Sequence, residues 1–298
     1  MSDFGELNGH AVGIIMKELV RRAIEAIRLE RLSFSAQVKQ GYDGQMNDVM
    51  TSADAAAQRI YIKSLQECFP SFGIVAEEDE LRIECTHSDC DIYFTVDPLD
   101  GTKAFVRRQS HGVGTMLALV QGGEVVAAAI GDVNTKEIFY FRPGSSRVYR
   151  IFDMDIAERL LVDESKTLME QRWVLRDPSY TYSQPIDVAM KKGGITGGHE
   201  IDGGSIGTMF ARLWKGEVGA AILRAGWQTP WDLTPIFGIS RKLGFKFFDV
   251  VPVRGIAIAL EDQLQISSRK FQTDHEIIVV HQSRIADLRE IFDVRYVK

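Results

Sequence analysis

The sequence predicts a mixed α+β and α/β fold. Two amphipathic helical stretches precede turn-separated strands in the first half, apolar strands alternate with helical segments in the second, and several strands end in carboxylates. In residues 10–32, Val12, Ile15, Met16, Leu19, Ala23, Ile27 and Leu32 recur roughly every three to four residues, the period of a helix with one apolar face. The polar stretch 33–52, with Gly41, Asp43, Gly44 and Asn47, reads as a loop. A second helix is expected from Ala53 to Cys68, stopping before Pro70. The apolar run Gly73–Ala76 then meets Glu77-Glu78-Asp79-Glu80, and the buried-strand pattern Asp91–Val96 meets Asp97 and Asp100. Strands follow near 113–120, 125–132 and 137–141, with turn signals at Gly122-Gly123 and Asn134-Thr135.

Beyond about residue 150, strands near 172–176, 218–224, 245–249 and 276–281 alternate with helical segments near 184–192, 205–215, 231–243 and 284–292. This alternation reads as an α/β layer. The expected division is an N-terminal α+β subdomain, 1–150, carrying most candidate ligands, and a C-terminal α/β subdomain, 151–298, completing a cleft. No Pro-, Gly- or Ser-rich linker marks the boundary, which is sought in 153–167.

Composition narrows the function. A 298-residue chain that is 45% hydrophobic supports a sizeable core. Its net charge of −6, from 35 basic and 41 acidic residues, gives no general attraction to nucleic acid or anionic membrane. An anionic substrate must then be held by local cations. The three cysteines, Cys68, Cys85 and Cys90, do not form a disulfide framework. Cys85, His87 and Cys90 lack the further partner a tetrahedral zinc site needs, so they read as a surface loop. The acidic start Met1–Glu6 is unlike a secretory leader, and the apolar runs Val125–Ile130 and Ile277–Val280 are far too short for a membrane span. A soluble cytoplasmic protein is expected.

Four acidic clusters fall at predicted element boundaries: Asp48 and Asp54 around Thr51, then Glu77-Glu78, then Asp97 with Asp100, then Asp232 in the first turn of a helix. Singly, these are ordinary caps and turns. Converging, they would repel one another and raise their pKa values, which divalent cations relieve. Magnesium takes oxygen ligands and keeps several waters, so a few carboxylates and a substrate phosphate suffice. In Asp97-Pro98-Leu99-Asp100-Gly101-Thr102 the proline fixes a turn that lets both aspartates face one pocket. The Leu99 carbonyl is a further oxygen ligand there, and Gly101 admits phosphate close to the backbone. Thr102 is placed to orient an attacking water, paired with Asp48.

Together these segments resemble the inositol monophosphatase-like family of metal-dependent, lithium-sensitive phosphatases. The resemblance rests on Asp48–Asp54, Glu77-Glu78, Asp97–Thr102 and Trp231-Asp232, in order and spacing, with Gly204-Ser205 on the substrate side. It implies a layered αβαβα sandwich of the inositol monophosphatase and fructose-1,6-bisphosphatase type, two or three Mg2+ ions and a homodimer. It further implies Glu77, Asp97, Asp100, Asp232 and the Leu99 carbonyl as metal ligands. Thr102, Asp48 and Glu77 are implied as catalytic, and Gly101, Thr102, Lys103, Ser205 and Arg224 as substrate contacts. The implied activity is hydrolysis of a small phosphate monoester: inositol phosphate, 3′-phosphoadenosine 5′-phosphate, histidinol phosphate or fructose 1,6-bisphosphate. Ala225 stands where inositol-selective members carry a glutamate. Lys103, Arg107, Arg108 and Arg224 are candidates to hold a second anionic group. Pro235, three residues after Asp232, is read as a first-turn proline.

Two other readings compete. The sequence Gly203-Gly204-Ser205-Ile206-Gly207 fits a nucleophile elbow, with Asp249 or Asp274 and His275 or His281 as partners in a Ser-His-Asp hydrolase. The Gly-rich stretch 193–204 is unlike the apolar strand such an elbow requires. A non-catalytic metal- or phosphate-binding regulatory protein on the same fold is the other. No Asp-x-Asp nucleophile motif stands at Asp97–Asp100, and no phosphate-loop motif is present.

Overall fold

The computed structural model describes residues 4, 7–41, 44–152, 156–191, 198–254, 257–262 and 264–297. In chain order the first part contains α1 (Gly9–Glu30), β1 (Ala36–Lys39), β2 (Asp48–Thr51), α2 (Ser52–Cys68), β3 (Gly73–Ala76), β4 (Arg82–Ile83), β5 (Ile92–Asp100), α3 (Thr102–Val106), β6 (Gly114–Gln121), β7 (Glu124–Asp132), β8 (Ile138–Phe141), β9 (Tyr149–Phe152) and β10 (Ile156–Arg159). The second contains β11 (Trp173–Leu175), α4 (Gln184–Lys191), β12 (His199–Ile201), α5 (Ile206–Trp214), β13 (Ala220–Leu223), β14 (Gly226–Gln228), α6 (Pro230–Lys242), β15 (Phe245–Arg254), β16 (Ala257–Glu261), β17 (Phe271–Thr273), β18 (Ile277–His281), α7 (Ile285–Ile291) and β19 (Asp293–Val297).

Strands β10-β9-β8-β7-β6-β5-β3-β4 form an eight-stranded sheet that is antiparallel except at β3–β5. Strands β12-β11-β13-β18-β15-β16-β19 form a seven-stranded mixed sheet. Alternation along the strands builds the layers, because successive side chains leave opposite faces. From β6 and β7, Leu117, Leu119, Ala127 and Ala129 join the core beneath α1 and α2, which supply Val12, Met16, Val20, Ala57 and Tyr61. Their neighbours Met116, Ala118, Ala128 and Ile130 face the other way, onto Phe210, Trp214, Leu233 and Ile236 of α5 and α6. Those helices also contact Phe247 and Val279 of the second sheet. Its far face, with Ile222, Ile278 and Val280, is covered by Ile186 of α4 and Leu288 of α7. The result is the αβαβα sandwich, with α5 and α6 as the layer between the two sheets. Each large apolar side chain buried there is worth about 1.5–3 kcal/mol.

Local chemistry sets the helix starts. The Asn8 side chain accepts from the His10 and Ala11 amides at 3.0 and 2.9 Å, capping α1. Thr51 and Asp54 form a reciprocal capping box at the start of α2. Among the described residues no helix is long and apolar enough to cross a membrane.

Two expectations are corrected. The polar stretch 33–52 is not all loop: β1 and β2 pair antiparallel as a hairpin, with Lys39 opposite Asp48. It was hidden because β1 is only four residues long and largely exposed, too short for its Ala36 and Val38 alternation to stand out from a polar stretch. Pro235 is not in the first turn, because α6 begins at Pro230. It stands in the helix interior, where it has no N–H to offer the Trp231 carbonyl. The first sheet also runs through Arg159, past the expected division at 150. Positions 153–155 of the boundary region, residue 192 and residues 193–197 of the Gly-rich stretch lie outside the described residues.

Candidate metal centre and active site

The site forms where β3 and β5 of the first sheet end against the starts of α5 and α6. Pro98 has no amide to give the β5–β6 ladder. The register accordingly shifts between Asp97 and Asp100, and both aspartates turn to one side. Asp232, the third residue of α6, meets them: one carboxylate oxygen from each of Asp97, Asp100 and Asp232 lies within 4.8 Å of the others. Thr229, ahead of α6, fixes Asp232 by donating its hydroxyl to Oδ2 at 2.7 Å. Thr115 does the same for the backbone of Asp97, donating to its carbonyl at 3.2 Å.

Asp100 is tied to the second sheet's side of the molecule. It accepts from the Ser205 hydroxyl at 2.5 Å and from the Ile206 and Gly207 amides at 3.1 and 2.7 Å. A carboxylate at a helix N-terminus satisfies amides that have no partner within the helix. Close backbone approach makes this possible. Gly101, at φ +87°, has no room for a Cβ against the Gly112 carbonyl and the Ser205 amide. A Cβ on Gly204 would lie 2.6 Å from the Gly112 Cα. Gly101 therefore admits neighbouring protein backbone to close contact.

Glu77 follows β3, and the hairpin reaches over it. The Lys39 ammonium donates to Glu78 at 2.9 and 3.0 Å and to Glu77 at 3.3 Å, and lies 3.8 Å from Asp48. Lys103 is half exposed, 3.9 Å from Asp48. A cleft of about 310 Å³ between hairpin and glutamates is lined by Lys39, Asp48, Glu77 and Glu78, among others. A larger cavity, about 750 Å³, opens elsewhere, between the β6–β7 turn and the end of α6. It gathers no metal-binding group of acids among the described residues.

Electrostatics follow from burial. Asp97 is 2% exposed, and that burial holds its pKa well above the carboxylate range, with Glu77, Asp100 and Asp232 adding repulsion. Burial likewise raises Glu77, against the pull of Lys39 and with the push of Glu78 and Asp232. Burial and Asp232 push Asp100 up to about 6, with Arg176, Ser205 and Gly207 opposing. Glu78 is pushed by burial to about 7, with Lys39 opposing. Burial works against the charge on Lys39, but the two glutamates outweigh it and raise its pKa. Asp54 is also raised by burial, offset by its bonds from Thr51 and Thr102.

The structure re-pairs one expected couple. Thr102 lies 3.1 Å from Asp54 Oδ1, not on Asp48, and 3.0 Å from the Leu99 carbonyl. Asp48 instead stands on the hairpin with the two lysines. Asp54, although part of the first acidic cluster, is given no role by the sequence because a first-turn carboxylate is ordinarily a cap, and it is one here as well. Ser205 is also placed differently from a substrate contact. It is 0% exposed, caps α5 by accepting from the Thr208 amide at 3.0 Å and donates a hydrogen bond from its hydroxyl to Asp100. The same burial removes it as a nucleophile. Arg224 is half exposed and 3.5 Å from Asp177, while Arg107 and Arg108 are exposed past the end of α3. Thr229, Thr115 and Arg176 were not anticipated; they carry no motif and arrive only through folding.

Buried donors of this kind suit a hard divalent cation. All are oxygens, and Asp97 Oδ1 is buried with no hydrogen-bond partner. The sequence pattern of the inositol monophosphatase family matches residues 10–170, more than half of the 298-residue chain. The chain belongs to the inositol monophosphatase family. The matched segment carries Thr102, Asp54, Glu77, Asp97 and Asp100, while Ser205, Arg224 and Asp232 lie beyond it. Among relatives, the Nus factor SuhB of Xylella fastidiosa is 28% identical over 137 residues, 46% of this chain and 47% of that protein. The inositol-1-monophosphatase of Bacillus subtilis is 25% identical over 128 residues, 43% of this chain and 47% of that protein. The chain thus spans about half the length of these curated family relatives. The crystal structure of the extragenic suppressor protein suhB from Bartonella henselae superimposes with a TM-score of 0.71 at 20% identity, over 94% of this chain and 98% of that one. This likeness extends the family's fold through the second sheet.

Proposed function

We propose that the protein is a magnesium-dependent phosphatase that hydrolyses a phosphate monoester of a small metabolite. The observation that carries this reading is the convergence of three buried or half-buried aspartates beside the Thr102–Asp54 pair. Asp97, Asp100, Asp232, Glu77 and the Leu99 carbonyl are the residues to hold magnesium. Bound there, magnesium supplies a water of lowered pKa and neutralises charge on the phosphoryl oxygens.

The chain's own part is to place that water and take its proton. The Thr102 hydroxyl has one proton and two lone pairs, so it donates to Asp54 or to Leu99, not to both. Donation to Asp54 frees the Leu99 carbonyl and leaves Thr102 lone pairs for an attacking water. Asp54, with its raised pKa, is the better proton acceptor for it. Glu77, near enough to Asp97 and Asp232 for their charges to repel, is the second carboxylate this reading assigns to that water. Lys103 stands on the solvent side of Asp48, open to an anionic group. Candidate substrates are inositol 1-phosphate, 3′-phosphoadenosine 5′-phosphate, histidinol phosphate and fructose 1,6-bisphosphate.

A second reading, a non-catalytic binding role, has one observation in its favour: the Xylella relative is named a Nus factor. Phosphate release from the four compounds, with magnesium, with EDTA and with lithium, separates the two. Magnesium-dependent release that Asp97→Asn abolishes in a folded protein supports the enzyme. No release from any compound, in protein whose melting temperature rises with magnesium, supports the binding role.

A further inference from the structure

We propose that Arg176 selects substrates carrying a second anionic group in addition to the scissile phosphate. This deepens the phosphatase reading and rests on it. The second sheet places the residue. Strands β12, β11 and β13 run parallel, with Leu175 opposite both Ile201 and Ile222. They end together at Asp202, Arg176 and Arg224. The mouth beyond the carboxyl ends of parallel strands is where ligands sit in such sheets. Neighbouring strands are about 4.8 Å apart.

The connection to the aspartates is direct. The Asp202 amide donates to the Leu175 carbonyl at 2.8 Å, so the end of β12 is pinned to the end of β11. Gly203 then passes Arg176, whose carbonyl lies 3.6 Å from the point where a Cβ on Gly203 would be. Two residues later Ser205 donates its hydroxyl to Asp100. The positive charge of Arg176 accordingly reaches the Asp100 carboxyl.

Arg176 is half-buried, and among the described residues it has no carboxylate within ion-pair distance. Its neighbours on that rim are matched: Arg224 has Asp177 at 3.5 Å, and Arg212 has Glu200 at 2.5 Å. A planar cation without a carboxylate partner, at the strand ends that lead through Gly203 to Asp100, is suited to a second phosphate or a carboxylate, which it binds bidentately. A neutral polyol leaving group offers it nothing comparable.

The test uses two matched pairs that differ only in the second phosphate: 3′-phosphoadenosine 5′-phosphate with adenosine 3′-monophosphate, and fructose 1,6-bisphosphate with fructose 1-phosphate. The wild-type protein is expected to prefer the doubly charged member in kcat/KM by at least tenfold in one pair. Arg176→Ala should shrink that preference to within about threefold of unity, through the KM of the bisphosphate, and Arg176→Lys should restore part of it. Calorimetric binding of each pair in calcium supplies the same ratio without turnover. An absence of preference in wild type, or a preference unaltered in Arg176→Ala, overturns the proposal. So does an equal loss on both members of a pair, which marks Arg176 as a structural counter-charge. Discrimination in binding without any turnover leaves this inference standing while the phosphatase reading falls.

Discussion

Replacing Asp54 by asparagine keeps the side chain's size and removes the proton acceptor behind Thr102. Asp54 is 0% exposed and accepts from the Thr51 amide at 2.7 Å, from the Thr51 hydroxyl at 2.5 Å and from the Thr102 hydroxyl at 3.1 Å. An amide has one acceptor oxygen, so at least one of these three donors must face an NH2 group. The structural loss resembles a weakened helix cap, about 1 kcal/mol, offset in part because a buried charge is removed. At roughly 2–4 °C per kcal/mol, the melting temperature should fall by only a few degrees. The catalytic loss is that of a general base, about 10²–10⁴-fold in kcat. Asp48→Asn is the matched control. Its partners are ion pairs at 3.8 and 3.9 Å, a geometry worth little at a partly exposed site. Its kcat should stay within about threefold of wild type, on that weak coupling. The assay is initial-rate phosphate release at saturating magnesium, with thermal melts of each variant. Equal losses in the two variants, or a near-wild-type rate for Asp54→Asn, would refute the pairing of Thr102 with Asp54.

The raised carboxylates make a prediction about pH. Glu77 and Asp97 stand well above their usual values, with Asp100 at about 6 and Glu78 at about 7. Between the ordinary carboxylate range and pH 7 the folded protein then binds more protons than the unfolded chain, so its stability falls as pH rises. Protein stripped with EDTA should melt at a higher temperature at pH 5 than at pH 8, and magnesium at pH 8 should recover the difference; a melting temperature that rises with pH in EDTA sinks this account. Ser205→Ala removes the cap of α5 and one donor to Asp100. It should lower stability by about 1 kcal/mol and leave measurable turnover, whereas loss of a hydrolase nucleophile costs on the order of 10⁶-fold; a complete loss in the folded variant, together with wild-type turnover that EDTA does not reduce, would restore the serine-hydrolase reading.

The parts that were legible in the sequence have strong local signals. The α1 pattern and the carboxylates that follow β3 and β5 could be read directly, because period and position coincide there. The β1–β2 hairpin could not, since two strands of four residues, one of them largely exposed, give too short a pattern to separate from a loop. Pro235 misled because the start of α6 lies two residues before Asp232, at a proline that itself opens the helix. Asp54 and Ser205 show the harder limit. Each has a local duty as a helix cap and a distant one, at Thr102 and Asp100, and only the local duty is visible in a window of sequence. Arg176 is legible least of all: its place at the rim depends on three strands ending together.

The glycine contacts at the seam bear on how this chain can vary. Gly101 lies against Gly112 and Ser205, and Gly112 against Gly204, so three positions drawn from two distant stretches of chain share one gap. A side chain at any one of them displaces the others, and no substitution at a second relieves the first. In a library of single and double variants these three should tolerate almost nothing and show no compensating pairs among themselves. Neutral drift would then be confined to the outer helices, while the seam stays frozen.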